Sequence, residues 1–121
     1  MTISTNKPLS ISFIGAGNMA SSIIGGLIAT DYPAEYICAS APSKKNIEAL
    51  QNTFAITTHH NNKDALEGAD VVVLAVKPQL MAEVCKEIGP LLEDNALVIS
   101  IAAGISCEAL GRWLGGNRAI V

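Results

Sequence analysis

Phe13-Ile14-Gly15-Ala16-Gly17-Asn18-Met19-Ala20 joins a β-branched run to a stretch with helical apolar spacing. Residues 9–14 read as a strand, and residues 18–29 as a helix with Ala20, Ile23, Ile24, Leu27 and Ile28 along one face. Between them stands a G-x-G-x-x-A turn. Gly15 permits the tight turn, Gly17 lets the backbone approach a pyrophosphate, and Ala20 keeps helix and strand close. The helix start adds unpaired N–H groups and a partial positive charge suited to phosphate. In this setting the turn points to dinucleotide binding.

Outward from the turn, short β-branched runs alternate with amphipathic stretches, the pattern of βαβ units around a parallel sheet. Further strands are expected at residues 36–40, 55–58, 70–76 and 97–101, with the start of another at 119–121. The unbroken apolar run at 70–76 suits a strand covered on both faces. A helix after Pro42 and Ser43 turns Ile47 and Leu50 inward, and a short one at 63–67 is closed by Gly68. Pro78 opens a helix whose expected buried stripe is Leu80, Met81, Val84 and Ile88, and Ser106 caps a last helix ending near Gly115 and Gly116. The whole implies an α/β fold: a Rossmann-type doubly wound parallel sheet of six strands, with residues 1–121 forming one dinucleotide-binding domain. Paired glycines inside the first helix, Gly25 and Gly26, suggest either close approach of another element or simple tolerance.

Composition narrows the function. A net charge of −3 and 4% aromatic residues give no electrostatic footprint or stacking platform for nucleic acid, and no polybasic surface for a membrane. The apolar stretch at 11–29 is interrupted by four glycines and polar residues, unlike a signal or transmembrane segment. Cys38, Cys85 and Cys107 are widely separated, odd in number and set in apolar surroundings, so buried thiols in a reducing cytoplasm are expected. Adjacent His59 and His60 would point to opposite sides of a strand, which disfavours a shared metal, and no metal site is expected. Glu83 and Glu87, with Lys86, read as one exposed helix face.

The end of the second strand bears on which dinucleotide binds. NAD sites favour a carboxylate there for the ribose 2′-hydroxyl, whereas a 2′-phosphate needs donors and positive charge. The sequence offers Ser40, Ser43, Lys44 and Lys45 and no carboxylate. NADP, as NADPH, is expected ahead of NAD, which remains possible.

Four stretches together resemble the N-terminal domain of the pyrroline-5-carboxylate reductases: FIGAGNMA at 13–20, AVKP at 75–78 with Gln79 and Met81 after it, SIAAGI at 100–105, and LGGNRAIV at 114–121. By that resemblance Gly15, Ala16, Gly17, Asn18 and Met19 would hold the pyrophosphate, and Ser40, Ser43 and Lys44 the adenosine end. Asn62 matches an asparagine that contacts the cofactor ribose. Ala75, Val76, Lys77 and Pro78 would line the nicotinamide side, with Ala102 and Ala103 nearby. The implied reaction is hydride transfer from NADPH to the C=N carbon of 1-pyrroline-5-carboxylate, giving L-proline. The small-molecule pocket and homo-oligomer interface would then belong to a C-terminal helical domain absent from this chain, leaving the isolated chain nearly inactive. No residue here is assigned as acid, base or nucleophile, and Lys77 is read through its backbone. Two rivals share these features: the cofactor domain of a β-hydroxyacid dehydrogenase-like NADP oxidoreductase, and a non-enzymatic dinucleotide-sensing module.

Overall fold

Val71–Leu74 (β4) is buried along its whole length, which explains an apolar run without alternation. Val71 and Val73 enter one core, Val72 and Leu74 the other, as the two-residue period of a strand requires. The computed structural model describes residues 8–15, 17–41, 43–101, 104–116 and 119–121. Within them, β1 (Ile11–Ile14), β2 (Ile37–Ser40), β3 (Thr57–His59), β4, β5 (Leu97–Ser100) and β6 (Ala119–Ile120) form one six-stranded sheet. Every pairing is parallel and the order is β3-β2-β1-β4-β5-β6. The chain therefore winds outward in one direction from β1 and in the other from β4. This is the Rossmann-type doubly wound sheet expected from the sequence.

Helices cover both faces. On one, α1 (Asn18–Ala29) and α2 (Lys44–Thr53) set Ala20, Ile24 and Leu50 against Phe13, Ile37 and Ala39. On the other, α3 (Asn62–Leu66), α4 (Pro78–Ile88) and α5 (Cys107–Leu114) pack Leu66, Met81, Cys85, Ile88 and Leu110 on Ile14, Val72, Leu74 and Val98. Each large aliphatic side chain so buried contributes about 1.5–3 kcal/mol relative to exposure. Helix starts are capped as their sequences suggest. Ser43, Asn61 and Ser106 accept from the backbone N–H groups of Asn46, Asp64 and Ala109. Pro78 opens α4, and Gly115, with φ 100°, closes α5.

Several boundaries differ from expectation. Tyr36 belongs to a 3-10 turn (Ala34–Tyr36), so β2 starts one residue later. Pairing of β3 with β2 begins only at Thr57, opposite Cys38, which moves that strand toward His59. β4 stops at Leu74, beyond which Ala75 donates its N–H to the Ile14 carbonyl and the chain leaves the ladder. Leu80 is 45% exposed; the buried stripe of α4 is Met81, Cys85 and Ile88, with Val84 half-buried. Cys85 alone is a buried thiol, Cys38 is half-buried, and Cys107, at the start of α5, is exposed. A Cβ on Gly25 would meet the Phe54 ring at an ordinary 3.5 Å and one on Gly26 would meet nothing, so no close approach among the described residues demands either glycine. No helix among the described residues is long and apolar enough to cross a membrane.

Candidate functional site

Between β1 and β4 the winding direction reverses, and there the carboxyl ends of three strands are stitched together. Gly15 donates its N–H to the Ser40 carbonyl at 2.9 Å, and Ala75 donates to Ile14 at 2.8 Å. Gly15 itself has φ 103°, and a Cβ on it would lie 2.7 Å from the Ala75 carbonyl oxygen. Both its conformation and its neighbour exclude a side chain. Gly17 differs. Its φ of −117° suits any residue, and a Cβ there would meet nothing within 4 Å among the described residues. The protein leaves that space open. Directly after it, α1 begins with no side-chain cap and no acidic residue in its first turn. Gly15, Gly17 and the backbone at the start of α1 thus present main chain at a helix start, an arrangement fit to cradle a diphosphate.

Beside the cradle lies a cleft of about 450 Å³ that reaches from Gly15 and Ser40 across to α4. Val76, Leu80 and Val84 supply an apolar wall; Asn61, Asn62, Glu83 and Glu87 supply polar groups. No residue of β5 or β6 lines it; its walls come from the ends of β1 and β2, from residues 60–62 and from the segment that leaves β4 and enters α4. Ser40, fully buried, donates its hydroxyl hydrogen to Asn62 Oδ1 at 2.6 Å, and Asn62 Nδ2 faces both carboxylate oxygens of Glu87 at 3.4 Å. Ser43 spends only an acceptor lone pair in capping α2, so its O–H stays available beside exposed Lys44 and Lys45. Another cavity, of about 440 Å³, lies between residues 68–70 and 93–96 at the amino ends of β4 and β5, away from the strand ends where ligands of such sheets bind.

A family signature described as "NADP oxidoreductase coenzyme F420-dependent" matches residues 10–104. The chain belongs to that family. Among its curated relatives, a pyrroline-5-carboxylate reductase of Pseudomonas aeruginosa is 50% identical over 111 residues, covering 92% of this chain and 41% of the relative. A solved pyrroline-5-carboxylate reductase from Coxiella burnetii superimposes with a TM-score of 0.90 at 37% identity, covering 94% of this chain and 43% of that one. The Plasmodium falciparum pyrroline carboxylate reductase, solved with NADP bound, gives a TM-score of 0.79 at 27% identity over 93% of this chain and 40% of that one. The chain thus spans about two fifths of the relatives it matches, and corresponds to their N-terminal portion.

Set within this family, the residues singled out from sequence fall into three groups. Gly15, Gly17, Asn18 and Met19 form the cradle, with Met19 60% exposed at the start of α1. Ser40 and Asn62 meet in the cleft, whereas Ser43 and Lys44 stand at the start of α2. Ala75, Val76, Lys77 and Pro78 run from the end of β4 into α4, with Lys77 as its cap residue through its backbone. Ala16, Ala102 and Ala103 lie outside the described residues. Glu83 and Glu87, read from sequence as an exposed helix face, are exposed and also line the cleft. The signal for this was present: they sit one and two turns after Leu80, an apolar residue that proves to be exposed.

Proposed function

We propose that this chain is the cofactor-binding portion of an NADPH-dependent reductase that converts 1-pyrroline-5-carboxylate to L-proline. The observation that carries the proposal is the open space over Gly17 at the uncapped start of α1, set where the sheet reverses. Relatives at 50% identity that are pyrroline-5-carboxylate reductases support the choice of substrate.

On this reading residues 15–19 hold the pyrophosphate through backbone N–H groups. The 2′-phosphate sits at the start of α2, where the free Ser43 hydroxyl, the Lys44 ammonium and the helix N-terminus combine donors with positive charge. On the same reading Ser40 acts through Asn62, to which its hydroxyl donates, and leaves the phosphate to Ser43 and Lys44. The adenosine half occupies the cleft against Leu80 and Val84. Ala75 to Pro78 face the nicotinamide half with main chain rather than with an ionisable group, alongside Ala102 and Ala103. When bound, the reduced nicotinamide supplies the hydride. The chain's part is to place it, because an imine carbon is already electrophilic and alignment supplies much of the rate. On the same reading the substrate pocket and any homo-oligomer contact lie outside this chain, which spans about two fifths of those relatives; a cytoplasmic site of action fits the biosynthetic role.

Calorimetric titration of the chain with NADPH and NADH tests the cofactor assignment, with tighter NADPH binding expected. Assay of the full-length protein with 1-pyrroline-5-carboxylate against 3-hydroxy acids tests the substrate. Turnover of the hydroxy acids alone would move the chain to the dehydrogenase rival, and nucleotide binding with no turnover of either would move it to a sensing module.

A further inference from the structure

We infer that Glu87 is a positioning residue for the nucleotide site: its carboxylate fixes which way the Asn62 amide points and thereby which hydrogen-bond donors the cleft offers. The inference rests on the nucleotide reading above and goes beyond it, since Glu87 sits on α4 and belongs to none of the glycine, serine or lysine positions already assigned.

Three elements meet at this point. Ser40 ends β2, Asn62 begins α3 and Glu87 lies near the end of α4. Ser40 Oγ donates to Asn62 Oδ1 at 2.6 Å; Asn62 Nδ2 is 3.4 Å from each Glu87 oxygen. An amide has one accepting end and one donating end, whereas an ionised carboxylate only accepts. Turning Asn62 over would bring its carbonyl oxygen against the Glu87 carboxylate, an acceptor against an acceptor. Glu87 therefore holds the NH2 end toward α4 and the oxygen toward Ser40, which must then give up its only hydrogen. Ser40 by itself is compatible with either direction, because a hydroxyl both donates and accepts. The direction is set from the α4 side. With nucleotide bound, one Nδ2 hydrogen stays shared between the two Glu87 oxygens and the other goes to a sugar oxygen, while the buried Ser40 hydroxyl keeps its hydrogen on Asn62.

The test is a double-mutant cycle on the chain, read by NADPH titration and by NMR of the Asn62 side-chain amide without nucleotide. Glu87 is exposed and alanine is a good helix former, so Glu87→Ala should fold. Glu87→Ala is expected to weaken NADPH binding about fivefold, the scale of one modest hydrogen bond. Glu87→Gln, which can still present an acceptor, should restore affinity to within about twofold. Asn62→Ala should weaken binding at least as much as Glu87→Ala, and the double variant should be no weaker than Asn62→Ala alone, because Glu87 acts only through Asn62. Additive losses, or unchanged affinity in Glu87→Ala, would overturn the inference. In the nucleotide-free spectrum, the Asn62 amide protons should shift in Glu87→Ala and far less in Glu87→Gln; an unmoved resonance would also overturn it. Absence of NADPH binding by the parent chain would instead sink the nucleotide reading, leaving the amide spectrum to judge Glu87 on its own.

Discussion

Gly15 and Gly17 stand two residues apart and answer to different constraints. Gly15 is required by the fold, through a positive φ and a carbonyl 2.7 Å from any added Cβ; Gly17 is unconstrained by it. Gly15→Ala should therefore destabilise the chain by about 2–4 kcal/mol, seen in urea unfolding. Gly17→Val should melt like the parent yet lose NADPH affinity by roughly tenfold or more, because its side chain fills the cradle. Undiminished affinity in that variant would remove the basis of the cofactor assignment. The motif announced both glycines, but only coordinates separate the structural one from the functional one. Cysteines show the opposite limit. Apolar neighbours in sequence placed all three inside, yet Cys107 falls on the first residue of a helix, where its side chain meets solvent. Burial pushes the Cys85 thiol up to about 11 from an ordinary 9.0, and burial also raises Cys38, partly offset by its hydrogen bond with Ser12. A thiol reagent at pH near 8 should label one cysteine quickly, Cys107, and the others slowly. Because the unfolded chain ionises Cys85 first, its contribution to stability is full below pH 9.0 and declines as pH rises toward about 11.

Helix starts carry much of what elements contribute here, and they divide by whether a side chain occupies them. α2, α3 and α5 are capped by Ser43, Asn61 and Ser106, α4 opens on Pro78 without a side-chain cap, and α1 has neither a cap nor a proline. Ser106→Ala should cost about 1 kcal/mol in thermal unfolding and leave nucleotide affinity alone. Replacing Lys44 and Lys45 together by alanine should do the reverse: stability nearly unchanged, NADPH binding weakened, NADH binding indifferent, and the dependence of NADPH affinity on salt reduced. Element type was largely legible, since period-two and period-3.6 patterns and the capping serines mark where strands and helices lie. Edges were less so. A β-branched residue such as Val76 looks like strand continuation, but the ladder ends at Leu74 because the chain must turn outward to enter α4. On α4 only Leu80 departs from the expected stripe: Met81 and Ile88 are buried and Val84 packs half-buried on the core, whereas Leu80 is exposed along the cleft, a difference that hydropathy pattern alone does not mark.

At the scale of the molecule, the sheet order explains both what could be read and what could not. Alternating elements imply a doubly wound sheet, and its rule places ligands at the reversal. Contacts such as Asn62 with Glu87 depend on α3 and α4 lying side by side and have no trace in local pattern. Saturating NADPH at a hundred times its dissociation constant should stabilise the chain by about 2.7 kcal/mol, raising the melting temperature by roughly 10 °C. NADH at the same concentration should raise it less. The pairing of β1 with β4 brings Ile14 beside Leu74, residues separated by the entire β2–β3 excursion. The two sides of the crevice face each other only when that distant pairing is made. A partly folded chain is consequently blind to its ligand, and nucleotide capture becomes a report that the domain has reached its native state.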